Sequence, residues 1–530
     1  MRSRQCIAPE WVCGVILGIT VLARAQIQFT DVTREAGLIE PLAGILGHGG
    51  ALGDFDGDGR IDIFAGGFAD RPNAEYGTIG KPVPNRLLRN LGNGRFEPVE
   101  NSPVEAFGRT SGAIFADLDN NGTLDLYVAN NARATASAKD GEIQRAAKTL
   151  RSQLFRNDGG RFVDISHESG ACPDSLLSAR NVGVLDYDND GLLDLFVVED
   201  RFTPRPRSVL LRNLGGLKFR DITREVGLPE DIYGLGLAVG DLNGDGRPDL
   251  LVGHSNRLFL SQPGNRYRED REANAIFAHQ PRDPEDWACG VAFGDLNGDA
   301  RLDVVIAAHA QAARNRVFIH EGVKEGAPRF REVTMEAGLG EVVPARCPHV
   351  EIQDFDNDGL PDIYLSAGWL EDNTFTPLIF RNAGVSNGVP RFVSPRPIAP
   401  PMHYYPAGPS GDLDGDGRLD LMLVNWFTNN HSRLLRNTSP AKNWCDVQVR
   451  GKRMNRSGIG ARVSVFASGE RLLGYQEIST GYGYASGQPT VAHFGLGVER
   501  AVRVSVTFPD GRSLSRNDVR ANQRLVIEEP

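Results

Sequence analysis

A nine-residue stretch, DFDGDGRID at 54–62, constrains this chain more than any other feature, because it occurs seven times. The other copies are DLDNNGTLD at 117–125, DYDNDGLLD at 186–194, DLNGDGRPD at 241–249, DLNGDARLD at 295–303, DFDNDGLPD at 354–362 and DLDGDGRLD at 412–420. Their starts are 63, 69, 55, 54, 59 and 58 residues apart. A unit of this length, repeated this often, marks a propeller or solenoid rather than a string of independent domains.

Oxygen-bearing side chains stand at positions one, three, five and nine of every copy. They are Asp54, Asp56, Asp58 and Asp62; Asp117, Asp119, Asn121 and Asp125; Asp186, Asp188, Asp190 and Asp194; Asp241, Asn243, Asp245 and Asp249. The last three sets are Asp295, Asn297, Asp299 and Asp303; Asp354, Asp356, Asp358 and Asp362; Asp412, Asp414, Asp416 and Asp420. Four such groups converge only if the backbone wraps around a point, and a hard divalent cation belongs there. Calcium, which tolerates flexible oxygen coordination, fits best. Without a cation the carboxylates would repel and raise one another's pKa. An EF-hand is excluded, because that loop needs Glu at position twelve and flanking helices. Here position twelve is Ala65, Val128, Val197, Val252, Ile306, Leu365 or Leu423, each in a short apolar run that reads as a buried strand.

The formal charge of -10 follows from these loops, whose ligand positions hold 25 of the 68 acidic residues. Seven divalent ions would move the balance to about +4, so the acidity gives no support for a nucleic-acid surface. At the N-terminus, Arg2 and Arg4 precede an apolar run at 12–22 and a small-x-small site at Ala23-Arg24-Ala25. That pattern predicts a cleaved signal peptide over 1–25 and export to an extracellular, periplasmic or cell-surface location. Four cysteines then remain, Cys172, Cys289, Cys347 and Cys445, which allow three pairings or buried free thiols.

Each repeat reads as four strands. In the first, a Gly-rich segment before the loop is strand A and 61–65 is strand B, followed by strand C at 86–90 and strand D at 95–99. Four strands per repeat is a propeller blade. Strands A, B and C occur seven times but strand D only six, for the chain runs from Asn437 into its tail without one. The missing strand is expected from the other end, where FTDVTREAGL at 29–38 matches FRDITREVGL at 219–228 and FREVTMEAGL at 330–339. The expected fold is therefore all-β: a seven-bladed β-propeller over 26–437, closed by an N-terminal strand, plus a small β-sandwich-like domain over 443–530.

These residues resemble the FG-GAP (VCBS-type) repeats of integrin α-subunit propellers. The tail, with NRSGIGARV at 455–463 and FGLG at 494–497, looks like the ASPIC/UnbV domain, although Phe508 stands where that family usually has Trp. The combination is similar to the cartilage acidic protein family and its bacterial relatives. The resemblance implies calcium on one face, recognition commonly on the other, and no agreed catalytic activity. Ala300 replaces the turn glycine of the fifth loop. A left-handed alanine costs roughly 1–2 kcal/mol, so the Asp295 loop is expected to bind calcium most weakly.

Loops on the face opposite calcium vary in length, as a binding surface on a rigid scaffold does. The loop at 130–152 is expected to include a short helix. Trp369, His403, Tyr404, Tyr405, Trp426, Phe427 and His431 gather there as an aromatic, hydrogen-bonding patch, or else pack between loops. No GxSxG, HExxH, Walker or GxGxxG motif is present. The reading is a secreted, calcium-stabilised, monomeric binding or adhesion protein with an extracellular glycan or protein partner, no nucleic acid, and no membrane span after signal cleavage. The alternative is an extracellular enzyme, for example one acting on polysaccharides, with its site on that loop face.

Overall fold

The computed structural model describes residues 27–530 except 69–82, 132–150, 177, 202–205, 283–285, 311–313, 341–344, 347–348, 370–374, 394–397, 400–403 and 428–429. Most of the 130–152 loop thus lies outside the described residues. The described chain is built of many small sheets. Its described helices, Ser166–Ser169 and Arg271–Phe277, both follow D strands.

Strands form where the repeat predicts them. In the first repeat Gly50–Gly53, Asp62–Ala65, Arg86–Gly92 and Arg95–Pro98 pair in sequence order, all antiparallel. The second repeat runs Thr110–Ala116, Asp125–Asn130, Gln153–Asn157 and Phe162–Asp164 in the same order. Repeats three and four follow suit. Repeats five and six share one sheet, because Ala345–Arg346 bonds to both Asp303–Ala310 and Asp362–Trp369. In the seventh, Ser410–Gly411, Asp420–Leu423 and Arg433–Asn437 have no following D strand. Phe29–Asp31 takes that place, with Phe29 opposite Asn437 and Asp31 opposite Leu435.

Strands A and B are buried on both faces, which explains their apolar runs. Phe55, Phe64, Phe115, Leu126 and Phe155 fill the space between the first two sheets. The asparagine ending strand C also links neighbours. Asn157 Nδ2 donates to Leu124 O in its own repeat and to Phe55 O in the preceding one, at 2.9 and 2.7 Å. Asn213 reaches Leu118 O, Asn382 Leu296 O and Asn437 Phe355 O in the same way. Each bond fixes one aspartate-rich loop against the next sheet.

The tail forms two sheets. Asn443–Arg450 lies between Ala492–Gly497 and Gln523–Glu528. The other sheet orders Leu472–Glu477, Arg462–Phe466, Ala501–Thr507 and Ser513–Arg520. That last strand, SLSRNDVR, carries no apolar alternation to mark it, being polar and mostly exposed as an edge strand tends to be.

Between the tail strands, residues 480–488 (TGYGYASGQ) enter the centre of the repeat array. Ser486–Gly487 pairs in parallel with Gly50–Gly53. Gly483 N donates to both Leu237 O and Val291 O, at 3.0 and 2.9 Å. Tyr484 N donates to His349 Nδ1 at 3.1 Å, and Gln488 Nε2 to Glu351 Oε1 at 3.0 Å. Gly481 packs on Val182 O, Gly487 on Ala113 O, and Ser486 Oγ accepts from Gly408 N. The segment therefore touches the A strand, or its entry, of all seven repeats. Glycine is required at 483, where φ is +78° and an added Cβ would sit 2.6 Å from His349 Nδ1. A buried polar cluster surrounds the inserted tyrosine: Arg180 pairs with Asp200 and reaches Tyr484 Oη at 3.1 Å and His48 Nδ1 at 2.7 Å.

Candidate metal centres

The seven loops share one scaffold of backbone hydrogen bonds. The first-position carboxylate curls the loop around itself: Asp54 accepts from Gly57 N, Asp58 N and Gly59 N at 2.8, 3.0 and 2.8 Å. Gly57 and Gly59 take left-handed φ of +77° and +89°, which allows the turn. In the fifth loop Ala300 holds φ +60° and still donates its N–H to Asp295 Oδ2 at 2.9 Å. The turn survives there without glycine.

The ninth-position aspartate has a second task. Asp62 is fully buried; Oδ2 accepts from Phe55 N at 3.0 Å and Oδ1 from Asn90 N at 2.7 Å. Asp125, Asp194, Asp249, Asp303, Asp362 and Asp420 each accept the same two kinds of N–H bond. This residue ties loop, strand B and strand C together. Its burial, with neighbouring carboxylates adding to it, pushes Asp62 and Asp125 up to about 8 in the absence of a cation. Asp117 and Asp412 rise to about 6, and Asp186 and Asp354 to about 7, with burial again the largest cause. An adjacent cation reverses that preference and favours the ionised form.

The third position tests the fit. Arg89 holds Asp56 Oδ2 at 2.7 Å, and Arg212, Arg381 and Arg436 hold Asp188, Asp356 and Asp414 in the same manner. The other oxygen of each, Oδ1, is buried and accepts no hydrogen bond. Buried polar atoms are rarely left so. In these same four loops three carboxylates bring oxygens within 4.8 Å of one another: Asp54, Asp56 and Asp58; Asp186, Asp188 and Asp194; Asp354, Asp356 and Asp362; Asp412, Asp414 and Asp420. An orphaned anionic oxygen among clustered carboxylates fits a hard cation.

The three amide-bearing loops differ. Asn121 Oδ1 already accepts from Thr123 N and Thr123 Oγ1, at 2.7 and 2.5 Å. Asn243 Nδ2 donates to Asp245 at 3.3 Å, while Arg462 of the tail reaches Asp241 Oδ2 at 3.1 Å. Asn297 Nδ2 donates to Asp299 at 3.0 Å and leaves Asn297 Oδ1 buried without a partner.

The tail docks on these loops. Arg456 N donates to Asn120 Oδ1 at 2.8 Å, Asp241 N to Glu477 Oε2 at 3.0 Å, and His493 Nε2 contacts Asn357 Oδ1 at 2.7 Å. A cleft of about 670 Å³ remains between loops one, two and seven and Trp444, Arg450 and Arg456 of the tail. Sequence reasoning gave no sign of this cover, since no residue type marks a surface that another domain will bury.

The aromatic patch is drawn inward. Tyr405 is fully buried; its hydroxyl donates to His431 O at 3.1 Å and accepts from Asn430 Nδ2 at 3.0 Å. Tyr404 meets Phe427 edge-on, with centroids 6.1 Å apart, and His431 is half-buried. Trp426 lies 4.0 Å from the His48 ring and 5.3 Å from that of Phe68. His403 and the Trp369 side chain lie outside the described residues. Cys172 and Cys445 are buried free thiols, Cys289 is buried, and Cys347 also lies outside the described residues. Among the described residues no helix is long and apolar enough to cross a membrane.

Repeated oxygen-rich loops between the first two strands of small antiparallel sheets, several of which could hold a metal ion, define a β-repeat protein in outline, and comparison with known families names it. The FG-GAP-like repeat family matches residues 54–128, 186–252, 295–365 and 354–423, and the ASPIC and UnbV family matches 451–530. The chain belongs to the FG-GAP-like repeat family and carries an ASPIC and UnbV domain at its C-terminal end. Cartilage acidic protein 1 of Mus musculus is 26% identical over 507 residues, covering 91% of this chain and 73% of its own. The Homo sapiens protein is 26% identical over 508 residues, covering 91% and 72%. Among solved structures, the exotype rhamnogalacturonan lyase YesX aligns at 14% identity over 73% of this chain and 71% of its own, with a TM-score of 0.39. An Aleuria aurantia lectin aligns at 7% identity over 66% and 96%, with a TM-score of 0.33.

Proposed function

We propose that the seven repeats close into a seven-bladed propeller over 26–437, with calcium in its A–B loops as a structural tie. The chain is then an exported binding or adhesion module whose ligand is an extracellular glycan or protein. The buried, partnerless Oδ1 atoms of Asp56, Asp188 and Asp414 carry the metal reading. Bound calcium would supply the positive charge these oxygens lack, fixing strand A to strand B in those blades. Asp31 beside Leu435, and the inserted 480–488 segment reaching every repeat, support closure. Export rests on the 1–25 pattern and on similarity to proteins named for cartilage.

The test is retention of residues 26–530 on a panel of extracellular glycans and matrix proteins, in calcium or EDTA, with product masses recorded. Retention without mass change, lost in EDTA, is expected. New cleavage products would overturn the binding reading in favour of an enzyme.

A further inference from the structure

Lys442 leaves the repeat array on the segment that leads into the tail, and its side chain turns back onto the sixth loop. Nζ lies 3.0 Å from Asp356 Oδ1 and 3.8 Å from Asp358 Oδ2. Asp356 Oδ1 is the oxygen whose counterparts in loops one, three and seven stand without a partner. The ammonium approaches it as a charge, without the alignment of a hydrogen bond. In those other loops one arginine reaches the third-position carboxylate, from its far side, and among the described residues no second basic group does. Among the described residues, only the third-position carboxylate of loop six is met by two cations, Arg381 and Lys442.

Loop six is also the most enclosed. Asp354, Asp356 and Asp362 are all buried, whereas the third-position Asp56, Asp188 and Asp414 are half-buried. The tail strand Ala492–Gly497 lies on it: Gly495 packs against Asp354, and His493 contacts Asn357. A lysine ammonium is a compact point charge with three donors, so it can stand among several carboxylate oxygens as a small cation does. Tethering gives it a high local concentration that a free ion must overcome.

We propose that Lys442 is a built-in counter-ion occupying the cation position of loop six, so that this loop holds the interdomain segment in place of a calcium ion. The inference rests on calcium filling the other loops. It makes the docking of the tail at this point independent of calcium.

Native mass spectrometry of residues 26–530 over a calcium titration tests it. Lys442→Gln is expected to bind one ion more than the unmodified chain, and Lys442→Arg, which keeps a cation, no more. Asp356→Asn should leave the unmodified count unchanged and remove the extra ion from Lys442→Gln. An unmodified chain that binds calcium, loses one ion on Asp356→Asn and gains none on Lys442→Gln overturns the tether alone. No ion in any variant overturns it together with the calcium reading. If Lys442→Gln does not fold, Asp356→Asn alone decides, because only a calcium-filled loop loses an ion.

Discussion

Asn90 Nδ2 donates to Leu413 O at 2.9 Å, joining residues 323 positions apart in the first and seventh repeats. The same nitrogen donates to Ile61 O at 2.9 Å in its own repeat. This is the bond that Asn157 makes to Phe55 O and Asn437 to Phe355 O, and here it spans the two ends of the array. Asn90→Ala would remove both bonds and leave two buried carbonyls without donors, each at about 1–3 kcal/mol. A loss of about 2–4 kcal/mol in urea unfolding is expected. A loss under about 0.5 kcal/mol would mean that this contact contributes nothing to holding the ends together.

The third and ninth loop positions should separate in their response to metal. Asp56 offers a partnerless oxygen, whereas both oxygens of Asp62 already accept backbone N–H groups. Asp56→Asn is expected to lower the melting temperature in calcium and to change it little in EDTA. Asp62→Asn should lower it in both, a destabilisation of about 2–3 kcal/mol, because an amide NH₂ would face a backbone donor in a buried site. Equal losses for the two variants in EDTA would count against this division of labour.

Much of this architecture was legible because the loop is both chemically peculiar and periodic. Seven spaced copies locate strands A and B, and the Leu-Leu-Arg-Asn pattern locates strand C. The match of 29–38 to 219–228 likewise anticipated the pairing of Phe29–Asp31 with Arg433–Asn437. The role of Asp62 was hidden because an aspartate that accepts backbone N–H bonds has the same letter as one that ligates a metal. No residue type in 480–488 marks an insertion; only the backbones these residues meet at Gly50, Leu237 and Val291 explain their glycines. The ring faces of Tyr405 and Trp426 were equally ambiguous, since exposed and packed aromatic residues look alike in sequence.

The inserted segment should be intolerant at Gly483. Alanine there meets both a left-handed φ, at roughly 1–2 kcal/mol, and His349 Nδ1 at 2.6 Å. Gly483→Ala is expected to free the segment, seen as new protease cleavage within 480–488 while the repeats stay folded. Gly511, also left-handed at φ +84° but with open space around it, is the control. Gly511→Ala should show the smaller backbone cost and no new cleavage. A cleavage pattern at Gly483→Ala matching that of the control would contradict the packing argument.

The tail has its own acid-sensitive point at Glu529. Oε2 of this buried carboxylate accepts from Lys452 N, Arg453 N and Met454 N at 2.8, 2.7 and 3.0 Å, and Oε1 pairs with Arg512. Burial alone would raise its pKa, but the three N–H donors and the guanidinium outweigh burial and bring it down to about 2 from the usual 4.5. A carboxylate whose pKa is lowered on folding stabilises the fold above its unfolded pKa. That stability is lost as pH falls through the folded value. The window is therefore pH 4.5 to about 2. The loop aspartates Asp62 and Asp125 shift in the opposite sense, so whole-protein melting would mix the two effects. The difference between the unmodified chain and Glu529→Gln isolates this site. It should be about 2–3 kcal/mol at neutral pH, since hydrogen bonds to a charged group are involved. It should shrink steadily below pH 4.5 and vanish near pH 2. A difference that stays constant across this range would show that Glu529 acts through shape rather than charge.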